Sequence, residues 1–190
     1  MKEEVFKREL NYIKNERYKK SAQILITRLP DYFFKVAASS TGKYHPPFAQ
    51  NEGGLVRHTK VAVRMAHELL ESIVGDTFTD NQKDLILIAL IFHDGLKHGI
   101  EEEKYTRFDH PILAANFIKE NKSKTEFTDK EINFLTHIIS SHMGPYNTNA
   151  YSDIILPVPK DKYQKFVHMC DLLASRKFIN VEFIQNEIKD

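Results

Sequence analysis

Histidine and aspartate side chains recur at separate points of this chain in a pattern that could bind metal ions. The dipeptide His93-Asp94 directly follows a strongly apolar stretch. Neighbouring residues on a helix point about 100° apart, so a His-Asp dipeptide at a helix end can hold one ion from two directions. The second carboxylate oxygen then remains free for a second ion. The other candidate ligands are His58, His110, His142 and Asp171, whereas His137, about 140° around the helix from His142, is expected to support the site or the core rather than to bind an ion.

These ligand types predict a class of ion and a class of reaction. Imidazole and carboxylate together favour transition metals such as Mn, Fe, Zn or Ni over Ca. The one cysteine, Cys170, argues against a Cys-based structural zinc site. Two ions about 3.5–4 Å apart activate water and stabilise charge on a phosphoryl group. Lys97, three residues after Asp94, could contact a phosphate oxygen as a point charge.

Most of these candidates are predicted to lie near the ends of helices, next to loops. Thr79 with Gln82 and Thr128 with Glu131 form possible capping boxes. No alternating strand pattern is convincing, so the fold class is predicted to be all-α, and a helical bundle can bring such side chains to one point. The helices are predicted over residues 2–20, 21–29, 55–74, 79–92, 110–119, 128–142, 160–177 and 181–189, with another beginning near residue 31.

Length and composition predict a single folded domain. The chain has 190 residues, of which 42% are apolar and 28% charged. The net charge of +1 excludes the strongly basic surface of a dedicated nucleic-acid binder, but not a local basic cleft. The longest apolar run, residues 85–92, is too short to span a membrane. The charged N-terminus and the single cysteine favour a cytoplasmic location.

The sequence resembles the HD-superfamily metal-dependent phosphohydrolases. That family has a His, then a His-Asp dipeptide and then a later Asp, all within a helical bundle. The matching residues are His58 in GGLVRHT, His93-Asp94 in LIFHDGLKHG and Asp171 in HMCDLLAS. Family members often have a lysine three residues after the aspartate of the dipeptide, and Lys97 matches it.

Members of this family that bind two metals have two more histidines between the dipeptide and the last aspartate. His110 in DHPILAA and His142 in IISSHMG are similar to these insertions. The resemblance covers residues 53–176 and includes the HD domains of bacterial 3′–5′ exoribonucleases and of small phage proteins. It implies an HD-domain helical bundle over residues 41–190, with an N-terminal helical extension over residues 1–40 that packs on this core.

The resemblance also implies a role for each candidate residue. Asp94 would bridge two divalent ions (Mn, Fe, Ni, Zn or Mg). Lys97 would contact the substrate phosphate, with Arg176 and His45 as further substrate contacts. The remaining ligands are His58, His93 and Asp171 for one ion and His110 and His142 for the other.

The resemblance implies hydrolysis of a phosphomonoester or phosphodiester through metal-activated water. The expected substrate is a nucleotide or a phosphate derived from nucleic acid, with short RNA or DNA as another possible partner. Three alternatives remain open at this point: a 3′–5′ exoribonuclease-like activity, a metal-binding regulatory module without turnover, and a lyase or an iron oxygenase that activates O₂ on the same bundle. The sequence gives neither the metal nor the oligomeric state.

Overall fold

The computed structural model of this protein describes residues 1–189. The prediction of an all-α fold is confirmed, since helices form most of the regular structure of these residues and the one sheet has two short strands. No helix within this part of the chain is long and apolar enough to cross a bilayer. The elements are α1 (Lys7–Leu10), α2 (Glu16–Arg28), α3 (Gly54–Leu70), α4 (Asp80–Phe92), α5 (His110–Glu120), α6 (Asp129–Ile139), α7 (Lys162–Ala174), β1 (Phe183–Ile184) and β2 (Glu187–Ile188).

Helix α4 lies at the centre of the bundle. Every residue from position 84 to position 92 is buried, as expected for a helix that is apolar on all sides. Helices α2, α3, α6 and α7 pack against it, and α5 packs on α6. Both predicted capping boxes are present: Thr79 and Gln82 begin α4, and Thr128 and Glu131 begin α6.

The N-terminal segment is broken where one continuous helix over residues 2–20 was predicted. The carboxylate of Asp84 accepts hydrogen bonds from the backbone amides of Lys14 (3.1 Å) and Asn15 (2.8 Å). The Asn15 side chain caps the first turn of α2. Because Asp84 accepts from these two amides, they need no partner within a helix, and the chain can turn before α2 begins. The apolar side chains that precede the turn, including Phe6, belong to the same buried core as α3 and α4.

The C-terminal segment is a β-hairpin, and the predicted helix over residues 181–189 is wrong. Strands β1 and β2 are antiparallel, with Phe183 opposite Ile188. Gln185 has a positive φ of 56° in the turn, a conformation that ends a helix rather than continuing it. The Phe183 ring packs on Phe48 with 5.5 Å between ring centroids. Tertiary packing of alternate side chains therefore outweighs the weak helical pattern of this short segment.

A partly buried charge cluster joins α2 to the start of α6. The guanidinium of Arg17 donates to both carboxylate oxygens of Glu131, at 2.9 Å and 2.5 Å. The hydroxyl of Tyr18 donates to the same carboxylate at 2.7 Å. The Arg17 hydrogen bond lowers the pKa of Glu131 from 4.5 to about 2, against the opposing effect of burial. Ionised Glu131 therefore stabilises the folded state at neutral pH.

Glu131→Gln is expected to lower the free energy of unfolding by about 2 kcal/mol at pH 7. Because the folded pKa lies below the unfolded value, this contribution is present above about pH 4 and is lost as the pH falls through about 2. Glutamine keeps the capping interaction, so the loss reports the charge. Urea unfolding of both proteins between pH 2 and pH 7 measures it, with the exposed Glu120→Gln as the control. A pH-independent difference would contradict the assignment.

Candidate metal centre

Two groups of side chains that share one carboxylate lie at one end of the bundle. Within each group, the potential ligand atoms are all within 4.8 Å of one another. Most of these side chains are buried, and Asp171 alone is partly exposed. The first group contains His58, His93, Asp94 and Asp171, and the second contains Asp94, His110 and His142.

These side chains meet because each lies near a helix end. His93 and Asp94 directly follow α4, whose apolar surface holds the dipeptide within the bundle. His110 is the first residue of α5, and Pro111 occupies a first-turn position that tolerates proline. Asp171 lies in the last turn of α7, which packs against α3. The fold thus brings five segments to one site.

The two oxygens of Asp94 face different groups. Its Oδ2 lies 3.5 Å from Nε2 of His93 and 3.6 Å from Nε2 of His58. Its Oδ1 lies 3.1 Å from Nε2 of His110 and 3.6 Å from Nε2 of His142. The Asp94 carboxylate therefore lies between the two groups, with one oxygen toward each.

Asp171 completes the first group from the opposite side. Its Oδ1 lies 3.0 Å from Nε2 of His58 and 3.3 Å from Nε2 of His93. Burial alone would raise the pKa of Asp171, but the neighbouring His93 and the hydrogen bond to His58 hold it well below the usual value. The carboxylate is therefore ionised, as a metal ligand must be.

Three of the histidines are oriented by backbone carbonyls. In each, Nδ1 donates to the carbonyl oxygen three residues earlier, which turns Nε2 toward the site. Nε2 of His110 and Nε2 of His142 then face each other at 3.1 Å. The three carbonyl contacts join His93 to Leu90 (2.7 Å), His110 to Arg107 (2.6 Å) and His142 to Ile139 (2.9 Å).

Burial and charge act on the histidines in opposite directions. Burial lowers the pKa values of His58 and His110, whereas the charges of Asp94 and then Asp171 outweigh burial and raise the pKa of His93. Burial would raise the pKa of Asp94, but Lys97 and then His93 overcome this and hold it well below its usual value. Ionised carboxylates and imidazole nitrogens are the donor set of divalent transition metals, and a bound cation takes the place of the imidazole proton. The buried cluster could therefore hold a metal ion.

The predicted substrate contacts take different positions. The Lys97 ammonium lies 2.5 Å from Oδ2 of Asp94 and is buried. His45 is also buried, and its ring packs edge-on against His58 with 4.9 Å between centroids. Burial lowers the pKa of His45 to about 2, so this ring is neutral. Arg176 caps the end of α7 by donating to the carbonyl of Leu172 at 3.1 Å.

His137 lies outside the two groups. Its Nε2 is 2.6 Å from Oδ2 of Asp161 at an exposed position, and Asp161 also caps the start of α7. This contact joins α6 to α7 at the surface, which accounts for the histidine without a metal.

His168 of α7, for which the sequence pattern predicts no role, supports the second group. Its Nδ1 donates to the backbone carbonyl of His142 at 2.7 Å. Gly144 has a positive φ of 63°, and a Cβ built there would lie 2.2 Å from the His168 ring. The pair Gly144-Pro145 predicts a helix end at this point. The sequence does not indicate that Gly144 also makes room for a ring from another helix.

Gly144→Ala is expected to lower the free energy of unfolding by about 2–4 kcal/mol, since it combines a left-handed backbone with a clash against His168. Gly42→Ala is the matched control, because Gly42 has a similar φ of 66° and nothing lies within 4 Å of its Cβ position. That variant is expected to lose about 1 kcal/mol. Urea denaturation measures both, and equal losses would show that the His168 ring does not restrict residue 144.

No protein-family model, curated protein or solved structure matches the chain. The site is therefore described by two geometric findings: the donor set, and the division of the Asp94 oxygens between two groups of histidines.

Proposed function

We propose that this protein is a metal-dependent phosphohydrolase of the HD type, acting on a nucleotide or on a phosphate derived from nucleic acid. The observation that carries the proposal is the shared Asp94, with Oδ2 facing His58 and His93 and Oδ1 facing His110 and His142. A carboxylate that serves two clusters of imidazoles is suited to a pair of divalent ions. This arrangement agrees with the order of residues that gives the sequence its HD-superfamily resemblance.

The residues around the cluster support hydrolysis of a phosphate ester. A pair of divalent ions would lower the pKa of bound water and neutralise charge on phosphoryl oxygens. Asp94 and Asp171 offer two negative charges to such ions, which leaves the centre cationic toward a phosphate. Lys97 places a buried ammonium beside Asp94, where it can contact a phosphate oxygen directly. His45 offers a neutral imidazole on the His58 side.

Two exposed tyrosines that lie close in sequence to His45 and His142 favour a substrate with a nucleobase. Tyr44 precedes His45 and is 72% exposed, and Tyr146, four residues after His142, is 57% exposed. Aromatic rings stack on bases with about 1–3 kcal/mol per base. The net charge of +1 gives the chain little attraction for a long phosphate backbone. We therefore favour a nucleotide or a short nucleic-acid end over a long strand.

Lys97→Met is expected to lower kcat about 100-fold while leaving the number of bound ions unchanged, because it removes a charge placed to contact the phosphoryl group. The measurement is hydrolysis of bis-p-nitrophenyl phosphate by Mn²⁺-loaded protein, with metal content determined on the same samples. Lys119→Met, an exposed lysine on α5, is the control. Full activity in the Lys97 variant would assign this ammonium to balancing the charge of Asp94 only.

The direct test of function is a substrate screen of the purified protein. After removal of bound metal and reloading with Mn²⁺, the protein is offered bis-p-nitrophenyl phosphate, nucleotides and short RNA. Release of nitrophenol or of phosphate by wild type supports the proposal, and progressive shortening of RNA would assign an exoribonuclease-like activity. Metal binding without turnover on any of these substrates would overturn the proposal in favour of a binding module. An iron-dependent spectral change with O₂ and no hydrolysis would point to an oxygenase.

A further inference from the structure

The segment of residues 38–49 forms a closed loop that places His45 against His58 of the first group of candidate ligands. Its two ends are joined by a hydrogen bond from the backbone amide of Ala38 to the carbonyl of Ala49, at 3.0 Å. His45 is 9% exposed, and its Nδ1 is buried without a hydrogen-bond partner among the described residues. Nδ1 of His58, which the His45 ring packs against, also has no partner there. His45 therefore borders the first group at His58, and the Nδ1 atoms of both rings lack a hydrogen-bond partner within residues 1–189.

Arg57, the residue before His58, binds the exit of this loop. Its guanidinium donates to three backbone carbonyls: those of Phe48, of Gln50 at 2.8 Å and of Glu52 at 2.9 Å. One side chain on α3 thus holds successive turns of the segment that leads away from His45. Such a set of bonds needs the several donors of a planar guanidinium, which an ammonium cannot reproduce.

The C-terminal hairpin completes the binding of Arg57. Oδ1 of Asn186, in the hairpin turn, accepts a hydrogen bond from Nη1 of Arg57 at 2.8 Å. The Phe183 ring of β1 packs on Phe48 of the loop exit. Glu187 of β2 pairs with the fully buried Lys60 of α3. The hairpin therefore contacts both the loop exit and the α3 turn that carries His58.

The two glycines before α3 allow this close approach. Gly53 has a positive φ of 72°, and a Cβ there would lie 2.8 Å from Oδ1 of Asn186 and 3.0 Å from the Arg57 guanidinium. A Cβ on Gly54 would lie 2.2 Å from the carbonyl oxygen of Ala49. The glycine pair of the GGLVRHT segment thus lets the loop exit, α3 and the hairpin meet.

We propose that Arg57 is a positioning residue that acts through His45, and that Asn186 of the C-terminal hairpin fixes Arg57 in place. The hairpin thereby controls the substrate side of the centre without touching a metal ligand. This inference rests on the proposed function in one respect, since His45 is taken to contact the phosphorylated substrate. The loop, and not the ion-binding residues, is the part of the site that depends on the hairpin.

A double-mutant cycle tests whether Arg57 acts through His45. Arg57→Lys is expected to lower kcat/KM for bis-p-nitrophenyl phosphate roughly tenfold, mainly through KM, because it loses hydrogen bonds from a charged group. His45→Ala is expected to lose at least as much. The doubly substituted protein should be no worse than His45→Ala alone, since both changes remove one contribution. Additive losses would overturn the proposal and give Arg57 a merely structural role.

The hairpin is tested at Asn186. Asn186→Ala removes the acceptor for Arg57 and is expected to raise KM roughly threefold, whereas Asn186→Asp keeps an oxygen acceptor and should restore the wild-type value. Glu182→Gln, which breaks an exposed pair with Lys189 in the same segment, is the control and should have no effect. Equal KM values for Asn186→Ala and wild type would show that the hairpin does not position the loop.

Hydrogen exchange provides a readout that does not require activity. Amides of residues 38–52 are expected to exchange about tenfold faster in Arg57→Lys and Asn186→Ala than in wild type, because local opening becomes easier. The amount of Mn²⁺ bound per chain should stay the same. Unchanged exchange in both variants would overturn the proposal, even if the enzyme is active. If wild type hydrolyses no phosphate ester, the proposed function fails. Faster exchange in the two variants would still show that the hydrogen bonds of Arg57 hold the loop in place.

Discussion

Under the proposed function, Asp94→Asn is expected to lower the hydrolysis of phosphate esters at least about a thousandfold, because the shared carboxylate would hold both ions. Asparagine has nearly the same shape but replaces one anionic oxygen by an amide nitrogen that cannot ligate. The carboxylate lies with one oxygen toward His93 and the other toward His110. The substitution therefore weakens both halves of the centre and leaves Lys97 without its ion-pair partner.

The control for this substitution is Asp129→Asn, an exposed aspartate paired with Lys122 at the surface. Both variants and wild type are assayed with Mn²⁺ and bis-p-nitrophenyl phosphate, and the folded state is checked by circular dichroism. The control should keep full activity. A folded Asp94→Asn protein with more than a tenth of wild-type turnover would show that Asp94 is not shared between two ions.

Removal of metal is expected to destabilise the protein strongly. Without a cation, converging lone pairs and ionised carboxylates lie close together in a buried site, as with the two Nε2 atoms of His110 and His142 at 3.1 Å. When the free ion concentration is a thousand times the dissociation constant, binding stabilises the folded state by about 4 kcal/mol. In a chain of this length, that raises the melting temperature by about 8–16 °C.

Thermal unfolding with excess EDTA and then with added Mn²⁺ measures this effect. Asp171→Ala, which removes one ligand of the first group, should show a smaller shift than wild type. Substitution of His137, which lies outside both groups, should leave the shift unchanged. A melting temperature that is the same with EDTA and with Mn²⁺ would contradict metal binding by the cluster.

The helical core could be predicted from the sequence because its signals are local. The apolar run of α4 determines a buried helix, and Thr79 with Gln82 and Thr128 with Glu131 fix the starts of α4 and α6. The positions of His93 and Asp94 at the end of α4 follow directly from this pattern. Hydrophobic burial and capping act over a few residues, so neither requires knowledge of distant contacts.

Features that depend on distant contacts could not be predicted. The break before α2 depends on Asp84, which binds the backbone of Lys14 and Asn15 from another helix. The hairpin at residues 183–188 depends on packing against α3 and Phe48. Both segments are short, and tertiary contacts override weak local preferences in such segments.

The candidate site shows the same division between local and distant signals. The ligand residue types could be read from the sequence, and their convergence follows from the helix ends on which they lie. The role of Arg57 could not be predicted from the sequence, because its hydrogen bonds go to backbone carbonyls of the preceding loop and to Asn186 in the distant hairpin. The orientation of His142 by the Ile139 carbonyl follows a spacing of three residues, which a search of histidines at helix ends could find.

Counting the ions bound per chain tests the central claim most directly. Protein freed of metal is equilibrated with increasing Mn²⁺, separated from free ion by gel filtration, and analysed for metal and protein. Two ions per chain are expected at saturation, falling to one in His142→Ala because that change removes a ligand of the second group only. Saturation of wild type at fewer than two ions, or a count that does not change in His142→Ala, would contradict a centre built from two groups around Asp94.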